Sequence, residues 1–341
     1  MKKHLSKKAA MFGLALLSAF SADWVMAADQ VVVIPMASSK IYTFGVNNLF
    51  AGKDAGNHTM TGTDNTGIGY GVLHANTTGG ANTAIGSAAL KSNTTGIWNA
   101  ASGRRALEKN INGHDNTASG GDALQENTSG YYNTANGSLA LAQNTVGWQN
   151  TAVGGYAGYS NTTGSYNTFV GYNTHAGANN LNNVTAIGID ATPTVSNSVR
   201  IGNGFVTSIG GNAAWSNLSD MRNKRDIQDI TRGLDFINAL RPVEYRMNNG
   251  NDRVDFGFLA QDIETLLGTD YNVLGIGGDP DRTLSLRYTD FIAPMVKAMQ
   301  EQQEIIEQQK KVNEQQEESI TEMRSELNDL KAEIRAMKAG K

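Results

Sequence analysis

A repeat of 17 residues runs through the middle of this chain and constrains its fold more than any other feature. An Asn-Thr pair recurs at intervals of 17 or 34 residues, at Asn65-Thr66, Asn82-Thr83, Asn116-Thr117, Asn133-Thr134, Asn150-Thr151 and Asn167-Thr168. A glycine follows four positions after the start of each copy, at Gly69, Gly86, Gly103, Gly120, Gly137, Gly154, Gly171 and Gly188. A short, fixed period is typical of solenoids, in which each repeat forms one coil that stacks on its neighbours.

The length of one repeat limits what a coil can contain. Seventeen residues cannot hold two helices with their turns, but they can hold two short strands and two tight turns. We expect glycine where the chain needs positive φ or close backbone contact. Stacked coils would bury Ala, Ile and Val rows together with a leucine row, and would align Asn and Thr in ladders. The leucine row is Leu73, Leu90, Leu107, Leu124 and Leu141, and a second glycine row is Gly79, Gly96, Gly113, Gly130, Gly147 and Gly164.

The repeat predicts a mainly β region, a parallel β-solenoid or β-roll of about eight coils over residues 61–194. Its pattern resembles the β-roll heads of YadA-like trimeric adhesins, whose repeats also carry an N-x-A-x-G signature. The resemblance implies a trimeric, fibrous protein, and the handedness of the roll stays open. Small interior residues let each coil bury little apolar surface, so assembly into a homotrimer would help to stabilise the stack.

The first 27 residues have the organisation of a secretory signal peptide. Four lysines precede the apolar stretch Ala9–Phe20. In Val25-Met26-Ala27, small residues occupy positions −3 and −1 of a cleavage site. Twelve apolar residues are too few to span a bilayer. The sequence therefore predicts a signal peptide over residues 1–27, removal after Ala27, and no integral membrane span in the mature protein. We expect an exported protein, extracellular or on the surface of a bacterium, with a cap or linker at residues 28–60.

Composition excludes several kinds of function. The chain has 28 Lys and Arg against 32 Asp and Glu, a net charge of −4, so no basic field indicates nucleic acid as a partner. It has no cysteine, which excludes disulfides, thiolate metal sites and a cysteine nucleophile. Its histidines show no ligand spacing and no carboxylate pair recurs in a fixed row. We therefore expect no metal, no cofactor and no turnover of an external substrate.

Three ordered motifs lie beyond the repeat. They are Ser219-Asp220-Met221-Arg222-Asn223-Lys224, Gly257-Phe258-Leu259-Ala260-Gln261-Asp262, and Leu286-Arg287-Tyr288 followed by Ile292-Ala293-Pro294. Together they resemble the endosialidase-type intramolecular chaperone found at the C-termini of phage tailspikes, tail fibres and some bacterial surface proteins. The resemblance covers about residues 195–310. It implies an α+β domain that trimerises, guides folding of the fibrous part before it, and then cuts itself off.

The resemblance also implies roles for individual residues. The cut would fall between Leu218 and Ser219. Ser219 would be the nucleophile and Lys224 its general base, while Asp220 and Arg222 would support the motif. The domain would then act once on its own chain, as a single-turnover serine–lysine autopeptidase.

This chemistry places demands on the local structure. A serine hydroxyl is a weak nucleophile, and a lysine can activate it when burial or neighbouring cations such as Arg222 or Arg225 favour the neutral amine. Residues five apart lie about 140° apart around a regular helix, so an active pair needs a turn, an extended segment or a partner subunit. The alternative interpretation is that Ser219 or Asp220 caps a helix that begins near Met221.

From about Tyr288 the sequence predicts one long helix with a heptad repeat. Its a positions are Ile292, Met299, Ile306, Asn313, Ile320, Leu327 and Ile334, and its d positions are Met295, Gln302, Gln309, Gln316, Met323, Leu330 and Met337. This spacing indicates a coiled coil, which we expect to be trimeric. Its polar middle layers would weaken the seam, which suits a chaperone that must dissociate after cleavage. The predicted segments are a connector at residues 195–218, the chaperone domain at 219–290 and the coiled coil at 291–341.

Several functions fit these features. The first is an exported, adhesin-like trimer whose C-terminal domain assembles the fibre and is then removed; a host-surface glycan or protein is a candidate ligand. The alternatives are a prophage tail-fibre receptor-binding protein with the same chaperone, or a permanent, uncleaved trimerisation module. Because virion components assemble in the cytoplasm, the signal peptide favours the first. A polysaccharide-degrading spike would need an acidic catalytic insertion, for which the uniform repeat leaves no room.

Overall fold

The computed structural model describes residues 41–43, 46–212, 216–248 and 252–339. The predicted signal peptide and the first part of the predicted cap, residues 28–40, lie outside these ranges. Within them, no helix combines the length and the apolar character that a membrane crossing requires.

Ten strands of three residues, β2 to β11, stack in sequence order into one parallel sheet. Their bounds are Leu49–Ala51, Thr66–Ile68, Thr83–Ile85, Ala100–Ser102, Thr117–Ser119, Thr134–Asn136, Thr151–Val153, Thr168–Val170, Thr185–Ile187 and Val199–Ile201. A first strand, β1 (Ile41–Tyr42), pairs antiparallel with β2. The predicted parallel β-solenoid is confirmed, with about nine turns over residues 49–201.

The stack is longer at both ends than the segment predicted from the repeat, residues 61–194. At the start, Phe50 occupies the row that Ala fills elsewhere, and the coil keeps its glycine at Gly52. At the end, Val199 pairs with Thr185 after only 14 residues, so the last coil is three residues short. Both coils depart from the consensus in sequence while their backbones still pair in register, which is why the repeat pattern missed them.

Each coil contains one strand rather than the two that were predicted. On the opposite side the chain passes through residues with left-handed backbone, for example Ala88 at φ 61° and Leu90 at φ 50°. A strand needs a continuous extended backbone, so these residues interrupt it. The coils are nevertheless hydrogen-bonded there, since the Leu90 amide donates to the Ala106 carbonyl at 3.0 Å.

The solenoid core consists of the predicted alanine and leucine rows. The leucines from Leu73 to Leu141 are fully buried, as are the central alanines of most strands. The prediction that the Ile and Val row is also buried is wrong. Ile68, Ile85 and Val153 are 41–44% exposed, because alternation along each strand turns its first and third side chains outward.

Two ladders of buried asparagine run through the same core. One contains Asn48, Asn65, Asn82, Asn99, Asn116, Asn133, Asn150 and Asn167, and the other contains Asn76, Asn93, Asn110, Asn127, Asn144 and Asn161. In the first ladder, each side-chain oxygen accepts from the backbone amide of the residue one coil further on, at 3.0 Å between Asn133 and Asn150. Each rung thereby satisfies buried polar groups of two neighbouring coils.

The two glycine rows serve the two purposes that were expected. Gly103 and its equivalents have positive φ, from 100° to 142°, which side-chain-bearing residues rarely adopt. Gly96 and its equivalents have ordinary φ values but lie against the asparagine ladder. A Cβ at Gly96 would overlap both the Asn93 side chain and the Gly113 carbonyl.

The region after the solenoid is small and of the α+β type. It comprises a 3₁₀ turn (Met221–Asn223), α1 (Leu234–Ala239), β12 (Val243–Tyr245), β13 (Asp255–Gly257), α2 (Ala260–Leu267), β14 (Leu274–Ile276), β15 (Leu284–Leu286), a second 3₁₀ turn (Tyr288–Phe291) and α3 (Ile292–Ala339). β12 pairs with β13 and β14 with β15, both antiparallel. Ile263, Val273 and Phe291 form its small buried core.

Helix α3 has 48 residues and begins at Ile292 rather than near Tyr288, because the chain first forms the 3₁₀ turn. Every apolar side chain at the predicted a and d positions is 42–69% exposed in the single chain. The helix therefore presents a long apolar stripe that the described part of its own chain leaves exposed.

Candidate active site

The segment Ser219–Lys224 forms a tight turn between extended residues. Asp220 is extended, with φ −64° and ψ 131°, and its carboxylate accepts from the Arg222 amide at 2.9 Å. A 3₁₀ turn follows, and Lys224 is extended again, with φ −118° and ψ 148°. The capping role considered for Asp220 is therefore present, although the helix expected near Met221 is only one 3₁₀ turn.

This turn brings together the two residues predicted to form the catalytic pair. The Lys224 Nζ donates to the Ser219 Oγ at 2.7 Å. A regular helix would have separated these side chains, whereas the extended–turn–extended path returns Lys224 to Ser219. The geometry required for a serine–lysine pair thus exists within one chain, and the catalytic role of the pair stays a prediction.

The supporting residues of the motif hold the turn in place. The Arg222 guanidinium donates to both carboxylate oxygens of Asp220, with its Nε at 3.1 Å from each. These hydrogen bonds hold the pKa of Asp220 below its usual range and raise the pKa of Arg222. The other neighbouring cation, Arg225, lies 3.7 Å from the Asp226 carboxylate. Both arginines expected to disfavour a lysine ammonium therefore have a carboxylate partner.

Exposure is the second feature of the site. The Leu218 side chain is 80% exposed and Ser219 and Lys224 are exposed as well. The predicted scissile bond is thus accessible in the single chain. Both side chains of the pair are open to solvent in the single chain, whereas burial is one of the factors that favour the neutral amine of a general base.

A groove lies between the first turns of α3 and two residues that flank this segment in sequence, Asn217 and Ile230. Its volume is about 690 Å³, and it is lined by Asn217 and Ile230 on one side and by Ile292 and Val296 on the other. Ile292 is a predicted a position of the coiled coil. The groove therefore extends from Asn217, two residues before Ser219, to the start of the exposed stripe of α3.

The long helix also anchors the short helix that follows the motif. The Leu234 amide, at the start of α1, donates to the Glu301 Oε2 at 2.7 Å. Gly233 allows this approach, because a Cβ there would overlap the Glu301 carboxylate. Lys297 lies 3.5 Å from the same carboxylate, one turn earlier on α3.

The second and third sequence motifs meet in the small core. The Phe258 amide donates to the Tyr288 hydroxyl at 3.1 Å, and the Phe258 and Phe291 rings lie 5.2 Å apart. A Cβ at Gly257 would overlap the Tyr288 hydroxyl, which explains the glycine in that motif. These motifs therefore position the start of α3.

Tyr245 is a half-buried residue in β12 that the sequence analysis did not identify. Burial is the main cause that raises the pKa of its hydroxyl, and the adjacent Tyr288 hydroxyl and the Asp255 carboxylate add to the effect. In the sequence, Tyr245 is marked only by its place in β12, where side chains alternate between more and less buried. The tyrosine pair ties the first hairpin to the start of α3.

The fold and site define a class of protein: a parallel β-solenoid followed by a small α+β region that carries a preformed serine–lysine pair. Comparison with known proteins identifies that domain. Residues 219–269 match the family Peptidase_S74, described as chaperone of endosialidase. The match starts at Ser219 and supports an intramolecular chaperone role for the C-terminal region. No curated protein and no solved structure matches the chain.

Proposed function

We propose that this chain is an exported, adhesin-like, homotrimeric surface protein of a bacterium whose C-terminal domain templates assembly of the trimer and then cleaves the chain between Leu218 and Ser219. The observation that carries the proposal is the 2.7 Å contact from Lys224 Nζ to Ser219 Oγ, at the residue where the family match begins. The predicted signal peptide supports export.

The reaction uses groups that are adjacent in the chain. The neutral Lys224 amine takes the Ser219 hydroxyl proton while Oγ bonds to the carbonyl carbon of Leu218. The proton passes to the Ser219 nitrogen as the C–N bond breaks, which leaves an ester between Leu218 and the Ser219 oxygen. Water then hydrolyses the ester, giving a carboxylate at Leu218 and a free amine at Ser219.

Assembly would exclude water from the serine–lysine pair, which is exposed in the single chain. The serine–lysine contact already exists in one chain, so further copies are not needed to bring the two side chains together. The pair is exposed, however, and the neutral amine is favoured when water is excluded. Copies that pack on the α3 stripe would also cover the adjoining groove and so dehydrate the site. Cleavage would then follow completed assembly.

The apolar stripe of α3 supports the assembly step. A helix of 48 residues with one exposed heptad seam is stabilised when further copies bury that seam. The helix also holds α1 through Glu301 and the small core through Phe291, so trimerisation at α3 would fix the domain beside the cleavage segment.

Intact mass of the purified full chain tests cleavage. We expect a C-terminal fragment of 123 residues that begins at Ser219. Ser219→Ala, Lys224→Ala and Lys224→Arg should remain whole, because each removes the nucleophile or a base that can lose its proton. Arg225→Ala is the matched control and should be cut normally. A wild-type chain that stays whole would leave the domain as a permanent trimerisation module.

Charge substitutions in the heptad seam of α3 test whether cleavage depends on assembly. Ile306→Asp with Ile320→Asp should prevent assembly and so leave a folded single chain that is uncut. Both residues lie far along α3 from Ser219, so the substitutions do not change the serine–lysine pair directly. Analytical ultracentrifugation of Ser219→Ala should show three copies. Rapid cleavage of the monomeric variant would contradict the requirement for assembly, and a dimer would contradict the predicted stoichiometry.

A further inference from the structure

One edge of the solenoid carries aromatic side chains in two adjacent rows, the last two positions of the repeat before the ladder asparagine. The inner row contains His114, Tyr131 and Trp148, and the outer row contains Trp98, Tyr132 and Tyr166. We call these six residues the aromatic edge. They occupy positions that vary between repeat copies, so the search for a consensus did not identify them.

The inner rings form a stack along the solenoid. His114 and Tyr131 lie 4.9 Å apart with planes 12° apart, and Tyr131 and Trp148 lie 5.4 Å apart with planes 13° apart. The outer rings are turned across this stack. Tyr132 makes an angle of 74° with Tyr131, and Tyr166 makes an angle of 65° with Trp148. The inner stack therefore supports the Tyr132 and Tyr166 rings and fixes their orientation.

Folding of the coil does not require aromatic residues in the outer row. Trp98, Tyr132 and Tyr166 have left-handed backbone, with φ from 55° to 62°, where Gly and Asn are favoured. Other coils fill the same row with Ala81 and Asn183. The three rings are also 51–60% exposed. Large apolar rings in an unfavourable backbone conformation and in contact with water point to a surface that binds something.

The spacing of the outer row indicates what it binds. The three rings are 34 residues apart, which is two coils or about 10 Å along the axis. Asp115 and Gln149 occupy the row between them, so flat rings alternate with hydrogen-bonding groups. An extended β-linked polysaccharide has the same alternation, because its sugar rings present apolar C–H faces and its hydroxyls project between them.

We propose that the aromatic edge binds a neutral, β-linked linear polysaccharide that runs parallel to the solenoid axis. From Ile97 to Tyr166 these two rows contain no lysine or arginine, and Asp115 is their one carboxylate. His114 lies 2.8 Å from the Asp115 carboxylate, so these rows leave no unpaired basic side chain for an anionic glycan or a nucleic acid. Protein interfaces are enriched in Tyr and Trp and depleted in Asp, so a second copy of the chain is the competing occupant that the variants below distinguish. The site is independent of cleavage at Ser219.

Ligand titration of the full chain tests this site. The probes are cellohexaose and chitohexaose, with maltohexaose as the α-linked control and heparin as the anionic control. Trp98 and Trp148 provide an intrinsic fluorescence signal. We expect saturable binding of a β-linked hexasaccharide, about a tenfold loss of affinity for each of Trp98→Ala, Tyr132→Ala and Tyr166→Ala, and no effect of Ser219→Ala.

Two exposed tyrosines elsewhere on the solenoid provide the matched control. Tyr70→Ala and Tyr172→Ala remove rings that are 54% and 58% exposed, and binding should not change. The proposal is overturned if neither β-linked probe binds at millimolar concentration, if heparin binds in their place, or if the outer-row variants bind as tightly as wild type. A changed oligomeric state in those variants with unchanged glycan binding would make this edge a contact between copies and would also overturn it.

Discussion

The buried asparagine ladder makes a sharp prediction about stability, best seen at Asn116 in the middle of the stack. Its Nδ2 donates to the Asn99 Oδ1 at 3.1 Å and to the Gly130 carbonyl at 2.8 Å. Its Oδ1 accepts from the Asn133 backbone amide at 3.0 Å and from the Asn133 Nδ2 at 3.1 Å. Asn116→Ala removes all four hydrogen bonds from a site with almost no exposure to solvent.

The consequences of this change differ between its partners. Three partners keep another hydrogen bond: Gly130 accepts from Asn127, Asn99 accepts from the backbone of residue 116, and the Asn133 Nδ2 donates to Gly147. The Asn133 backbone amide loses its acceptor inside the stack. The orphaned buried donor costs about 1–3 kcal/mol and each of the three other lost bonds about 1 kcal/mol, so we expect a loss of about 4–6 kcal/mol.

Hydrogen exchange measures this loss locally, which matters because stacked repeats need not unfold as one unit. The comparison uses the full chain with Ser219→Ala, so that chain length stays constant. Asn116→Ala should greatly accelerate exchange around Asn133. Asn136→Ala, at an exposed position in the strand that directly follows Asn133, should change stability by no more than about 0.5 kcal/mol. Equal effects of the two substitutions would refute the assignment of stability to the ladder.

Two further predictions concern close packing and the helix seam. Gly96→Ala should destabilise the solenoid by about 2 kcal/mol or more in urea unfolding, because its Cβ overlaps Asn93, whereas Gly121→Ala, with open space around it, should be nearly neutral. An equal effect at the two glycines would contradict this. Replacing the three glutamines at d positions with leucine should slow dissociation of the subunits of the cleaved domain, which subunit exchange measures. An unchanged exchange rate would contradict the interpretation that the polar layers weaken the seam. Those layers are Gln302, Gln309 and Gln316.

Repetition made much of the fibre predictable. Each row that recurs in the 17-residue pattern reflects one physical requirement, such as positive φ at Gly103 or close approach at Gly96. The pattern can therefore be recognised even where a single copy departs from it. The outward position of Ile85 was not predictable from apolar character alone. The single strand per coil also escaped prediction, because nothing in the type of residue at Leu90 signals a left-handed backbone.

The serine–lysine pair shows the corresponding limit for the site. The two residue types and their five-residue spacing predicted the pair from sequence, and helix geometry showed that it needs a turn. The contact itself depends on the extended backbone at Asp220 and Lys224. The partner carboxylates of Arg222 and Arg225, which offset the cations expected to act on the lysine, became visible only in three dimensions.

The sequence by itself determined the solenoid, the order of the regions and the long heptad helix, because all three depend on periodic, local patterns of residue type. The tertiary structure decided which rows face inward, which asparagines bond across coils, and that Trp98, Tyr132 and Tyr166 align on one edge. Those features depend on the path of the chain around each coil. Residues 17 or 34 positions apart become neighbours only when the coils stack.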